Sequence, residues 1–96
     1  MKADLIRSEK IIDELENTIE IKMWKLPEPT EDKPHGYKYS LVYVVNEVRV
    51  IGYDNAEGKG DHRHVKERTG AYKFVSLRKL AYDFYNDVEK YKRGEL

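Results

Sequence analysis

Apolar and polar residues alternate most cleanly in the middle of the chain. From Tyr37 to Asn46, residues Tyr37, Tyr39, Leu41, Tyr43 and Val45 share one face at a spacing of two. Lys38, Ser40, Val42 and Val44 take the other. β-Branched and aromatic enrichment at that period predicts a strand. Glu47 to Tyr53 predicts its hairpin partner, with a turn around Val45-Asn46-Glu47, where Asn46 tolerates turn geometry. Thr18 to Trp24 also alternates, with Ile19, Ile21 and Met23 on one side. Upstream, residues 2–12 fit either a matching strand or a helix, since Leu5, Ile12, Leu15 and Ile19 recur at roughly helical intervals. The strand is preferred, because Glu14-Leu15-Glu16-Asn17 then connects a hairpin.

Residues 27–36 hold all three prolines and predict an exposed loop. A second loop is expected to begin at Asp54-Asn55-Ala56-Glu57-Gly58-Lys59-Gly60, and beyond it a short strand over Ala71–Val75. Beyond Ser76, a suitable N-cap, Leu77, Leu80, Ala81, Phe84, Val88 and Tyr91 cover about 100° of a helix, the width of a face docked on a core. Lys90, Lys92 and Arg93 suit the last turn, and Gly94 the exit. These elements make an α+β fold: one domain, an antiparallel sheet of about five strands, and one C-terminal amphipathic helix packed on a face.

Composition narrows the chemistry. The 96 residues include no cysteine, which excludes disulfides, thiolate metal sites and a cysteine nucleophile. No apolar run approaches the roughly 20 residues of a membrane span, and charges interrupt the N-terminal apolar residues, so a cytoplasmic protein without membrane contact is expected. Eighteen basic and eighteen acidic side chains cancel overall. Between Lys59 and Lys79, however, seven cations face only Asp61 and Glu67. Such a local surplus suits an anionic partner.

Within that stretch, Asp61-His62-Arg63-His64 admits three readings. The first is acid–base chemistry on RNA, where one imidazole takes a proton and another gives one while cations hold the phosphate. In an extended segment His62 and His64 project the same way, roughly 6.5–7 Å apart, and Arg63 the opposite way. The second is a metal pair, His-x-His, completed by Asp54, Glu57, Asp61 or His35. The third is structural, with Asp61 capping a turn and the histidines bonding carbonyls or Asp54. Gly58-Lys59-Gly60 lacks the phosphate-loop spacing. Tyr39, Tyr43 and Tyr53, with Trp24, are either a base-stacking surface or core, and core is favoured. Tyr82 falls on the outer side of the helix.

The run Gly52-Tyr53-Asp54-Asn55-Ala56-Glu57-Gly58-Lys59-Gly60-Asp61-His62-Arg63-His64 resembles the signature of the TumE-like toxin family of toxin–antitoxin systems. Tyr72 to Leu77, the helical Asp83-Phe84 and Asp87-Val88, the Trp24…Pro27 segment and Tyr37-Lys38-Tyr39 fit the same pattern. The resemblance implies a toxin paired with a TumA-like antitoxin that carries a DNA-binding domain. Combined with the residue chemistry, it leads to a toxin acting on RNA as a metal-independent ribonuclease, with no cofactor. His62 and His64 share the acid and base roles and Asp61 orients a histidine. Lys59, Arg63, Lys66 and Asp54 contact the substrate. The alternative is a non-enzymatic protein that blocks a macromolecule or partners its antitoxin, with Tyr82 and Lys79 on its binding surface. A homodimer through a sheet edge is compatible with either.

Overall fold

The computed structural model describes residues 3–56, 58 and 60–96. Six strands precede one helix: β1 (Asp4–Ile12), β2 (Thr18–Lys25), β3 (Tyr37–Val45), β4 (Val48–Asp54), β5 (His62–Val65), β6 (Arg68–Ala71) and α1 (Leu77–Lys92). The strands form one antiparallel meander in sequence order, β1 through β6. Residues 4–12 therefore form the strand of a hairpin rather than a helix. Asp13 stabilises its connection by accepting from the amides of Leu15 and Asn17, each at 2.9 Å.

Each alternating apolar face becomes half of a core. Ile19, Ile21 and Met23 of β2, Tyr39, Leu41 and Tyr43 of β3, and Ile51 and Tyr53 of β4 are buried against Leu80, Phe84 and Val88 of α1. The three tyrosines are thus core residues, while Trp24 lies on the opposite face of the sheet. The helix begins as its sequence dictates: Ser76 Oγ accepts from the Lys79 amide at 3.0 Å. It ends at Gly94 (φ +74°), where the Glu95 amide donates to Lys90 and the Gly94 amide to Tyr91. That pair of bonds satisfies carbonyls the helix would otherwise leave open.

The strand expected over Ala71–Val75 lies elsewhere, as β6 over Arg68–Ala71, and the expected loop after Asp54 contains β5. The sheet has six strands because His62–Val65 and Arg68–Ala71 form a hairpin of their own. Its polar, glycine-containing sequence carries little periodic signal. Pairing is instead driven by β4, whose free edge needs a partner for its N–H and C=O groups.

One face of the sheet carries α1. The other carries Trp24 and Lys22 of β2, Lys38, Ser40 and Val42 of β3, Gly52 and Asp54 of β4, and His62 and His64 of β5, and among the described residues no helix covers it. Among the described residues, no helix is long and apolar enough to cross a membrane.

A histidine–aspartate cluster on the uncovered sheet face

Strand β5 fixes the two histidines. With His62 and His64 two residues apart, both project to the uncovered face, and their rings meet edge to face with centroids 4.8 Å apart. Arg63 projects to the helix side. There it makes a bidentate pair with Asp87, Nε to Oδ2 at 2.6 Å and a terminal nitrogen to Oδ1 at 2.8 Å. Asp87 also accepts from Tyr53 Oη at 2.5 Å, and its side chain is only 6% exposed. This contact holds the Arg63 guanidinium firmly protonated, and burial followed by the Asp87 bond raises the Tyr53 hydroxyl far above its ordinary pKa. Arg63 therefore clamps β5 to the helix between the two histidines and does not join them.

Antiparallel pairing of β4 with β5 sets Asp54 opposite His62 and Gly52 opposite His64. The Asp54 carboxylate faces both rings, Oδ1 lying 2.6 Å from His62 Nε2 and Oδ2 3.4 Å from His64 Nε2. The remaining ring nitrogens are also held. His62 Nδ1 lies 3.0 Å from the Gly60 carbonyl, and His64 Nδ1 2.9 Å from Thr69 Oγ1. Burial, then the positive charge of Arg49, lowers the pKa of His64. An open cleft lined by Asp61, His62, His64, Thr69, Gly70 and Ala71 adjoins the cluster.

Arg49 is the member that sequence reading missed. Strict alternation from Ile51 and Tyr53 would send Arg49 into the core. A β-bulge shifts the register between Tyr43 and Val44, so that Arg49 pairs with Val44 while Tyr43 still pairs with Ile51. The extra residue turns Arg49 to the uncovered face. Its side chain lies across Gly52, where a Cβ would stand 2.9 Å from Arg49 Cδ, and its guanidinium reaches to 3.9 Å from Asp54 Oδ2. The available signal was Val50-Ile51, two adjacent apolar residues in a strand that otherwise alternates.

The other expected site residues are placed differently. Asp61 does not orient His62 or His64. It accepts from Tyr39 Oη at 2.6 Å and sits 2.8 Å from His35 Nε2, while the His35 ring stacks on Phe74 at 3.9 Å between centroids. With buried Asn55, which bonds the Tyr39 amide and the Tyr37 carbonyl, it ties three loops to β3. Lys66 occupies the β5–β6 turn, its Nζ 6.0 Å from the Tyr91 ring on the helix side. Lys59 and Glu57 lie outside the described residues. The cationic surplus is also divided: Arg63 pairs with Asp87, and Lys79 with Asp83 at 2.5 Å. Tyr82 is exposed on the outer face of α1.

In a metal-independent pair, one imidazole nitrogen must be open to take a proton and another placed to give one. Here both Nδ1 atoms are engaged and both Nε2 atoms converge on one carboxylate. The structural reading is met in the His62–Gly60 carbonyl contact and in the contacts of both histidines with Asp54, and the same three residues form a candidate set of metal ligands. No curated protein and no solved structure matches the chain. The family described as toxin TumE matches residues 2–92, a span that contains every residue of the cluster. The protein therefore belongs to the TumE toxin family and is the toxin component of a toxin–antitoxin system.

Proposed function

We propose that this toxin acts on cytoplasmic RNA, cleaving phosphodiester bonds at the Asp54–His62–His64 cluster, and that a TumA-like DNA-binding antitoxin restrains it. The observation that carries the reading is two imidazoles and a carboxylate converging beside the Arg49 guanidinium on the sheet face opposite the helix. Arg49 is placed to meet a phosphate and to stabilise the charge that builds on its oxygens. Lys22, Lys38 and Trp24 continue the same face across β2 and β3, with Lys38 Nζ 5.1 Å from the Trp24 ring centre. Cations along a strand of phosphates with an aromatic ring for a base are the components of single-stranded RNA binding.

In the reaction, the 2′-oxygen attacks phosphorus, the P–O5′ bond breaks, and the proton lost from the 2′-hydroxyl is made good on the 5′-oxygen. The products carry a 2′,3′-cyclic phosphate and a 5′-hydroxyl. Incubating purified toxin with total RNA and sequencing the new ends tests this directly. New 5′-hydroxyl ends are expected with the native chain, and at least about 100-fold fewer with His62→Ala or His64→Ala. If both variants fold and still arrest growth fully, the cluster is not the toxic site.

A second reading has its own observation. Leu5, Ile6, Ile12 and Leu15 are all at least half exposed along β1 and its turn, at an outer edge of the sheet. Apolar edge strands of this kind take partners, so a toxin that works by blocking a macromolecule would use this surface. Ile6→Asp with Ile12→Asp then abolishes toxicity while histidine substitutions leave it intact.

A further inference from the structure

We infer that Asp54, His62 and His64 form a binding site for one divalent first-row transition metal ion of the zinc type, bound through both Nε2 atoms and the Asp54 carboxylate. The inference supplies a cofactor for the cluster on which the ribonuclease reading rests, yet the ion can be measured without RNA.

Four observations lead to it. One ligand atom from each of the three residues lies within 4.8 Å of the others, with all three side chains partly buried. Ligands held about 2.0–2.1 Å from a tetrahedral ion stand about 3.3–3.4 Å from one another. The His64 Nε2–Oδ2 separation is 3.4 Å and the His62 Nε2–Oδ1 separation 2.6 Å, so a side-chain shift of about 1 Å that offers one Asp54 oxygen to both rings brings the set to that spacing. Next, each ring's other nitrogen is engaged, by the Gly60 carbonyl and by Thr69 Oγ1. This is the outer support that fixes a ligating imidazole with its Nε2 lone pair toward the ion. Finally, the open cleft beside the histidines gives the ion and an anionic substrate a way in.

The ligand chemistry selects the ion. Two neutral imidazoles and one carboxylate suit zinc and its neighbours, whereas magnesium and calcium prefer oxygen ligands. Three protein ligands leave coordination positions free, as in catalytic rather than structural sites. An ion of charge two beside Arg49 leaves a net positive site, which a phosphodiester balances. An ion held by Asp54, His62 and His64 would supply positive charge for the phosphate and a base for the 2′-hydroxyl proton, which would end on the departing 5′-oxygen. Net proton transfer is from O2′ to O5′, and no redox partner is required.

The full-length chain, stripped with chelator and dialysed, is titrated with Zn2+ by calorimetry and with Co2+ by visible absorption. One ion per chain is expected, with a Co2+ spectrum of low coordination number and a melting temperature that rises with ion concentration. Asp54→Asn, His62→Gln and His64→Gln each weaken binding more than about 100-fold, and Thr69→Val, which removes only the outer support of His64, weakens it about 10-fold. His35→Gln, at the remaining histidine, leaves the affinity unchanged. Circular dichroism of the stripped variants establishes that they fold. Absence of binding, or binding that survives all three ligand substitutions in folded protein, overturns the site. An ion bound at these residues by a protein that leaves RNA intact supports the site and sinks the ribonuclease reading. RNA cleavage that persists in stripped protein showing no ion binding does the reverse.

Discussion

Single residues divide sharply between those that form the cluster and those that hold it in place. Arg49 lies across Gly52 and reaches Asp54, so under the proposed ribonuclease function Arg49→Ala should lower RNA cleavage about 100-fold with little loss of stability. Gly52→Ala forces the Arg49 side chain aside and should lower activity as well. Because both changes act through one guanidinium, the double variant should be no worse than Arg49→Ala alone, which a double-mutant cycle of cleavage rates will show. Arg63 acts from the other side of the sheet. Arg63→Ala leaves Asp87 buried and half-paired, and denaturant titration should show about 2–3 kcal/mol lost.

Among the elements, the β3–β4 hairpin carries a conformational liability. Asn46 and Glu47 both have positive φ, 49° and 65°, in a two-residue turn. Left-handed backbone suits Asn but disfavours Glu, so Glu47→Gly should raise stability by about 0.5–1 kcal/mol, measured by thermal or urea unfolding. The β1–β2 turn is tied to the rest of the molecule through Asp13, which accepts from Tyr43 Oη at 2.7 Å and lies 3.5 Å from Lys92 Nζ. Burial alone would raise this carboxyl, but the Tyr43 hydroxyl, the Asn17 and Leu15 amides and Lys92 outweigh it, and its pKa falls below the ordinary value. A depressed carboxylate stabilises the fold above its unfolded pKa of about 3.9 and loses that contribution as pH falls through the folded value. Native protein should therefore lose stability on acidification below about pH 4, and Asp13→Asn should be less stable at neutral pH with a shallower acid dependence.

Across the whole molecule, one sheet face packs against the helix and the other carries the histidine–aspartate cluster. If RNA follows the face proposed above, Trp24→Ala weakens single-stranded RNA binding by about 1–3 kcal/mol at any salt concentration. Lys38→Ala should instead reduce the slope of log affinity against log salt by about 0.7, the signature of one lost phosphate contact. A filter-binding series at several salt concentrations separates the two, and an unchanged affinity in both variants would move the RNA path off this face.

Alternation at a spacing of two was enough to assign the buried faces of β2 and β3, and the 3.6-residue period with Ser76 and Gly94 was enough to bound α1. The pairing of His62 and His64, with Arg63 turned away, likewise follows from chain geometry once the segment is extended. These are local properties, written within a few residues of where they act. Asp54 meeting both histidines depends on the β4–β5 register across a loop, and Arg49 joining them depends on a bulge defined only against β3. Asp61 turning to His35, and Arg63 to Asp87, depend on segments 26 and 24 residues away. The amino-acid sequence thus determined the faces, the helix and the family resemblance, because periodicity and capping act over one or two turns of backbone. Tertiary structure alone decided which charged groups meet across the sheet, because cross-strand register is settled by burying the inner strands and the helix together.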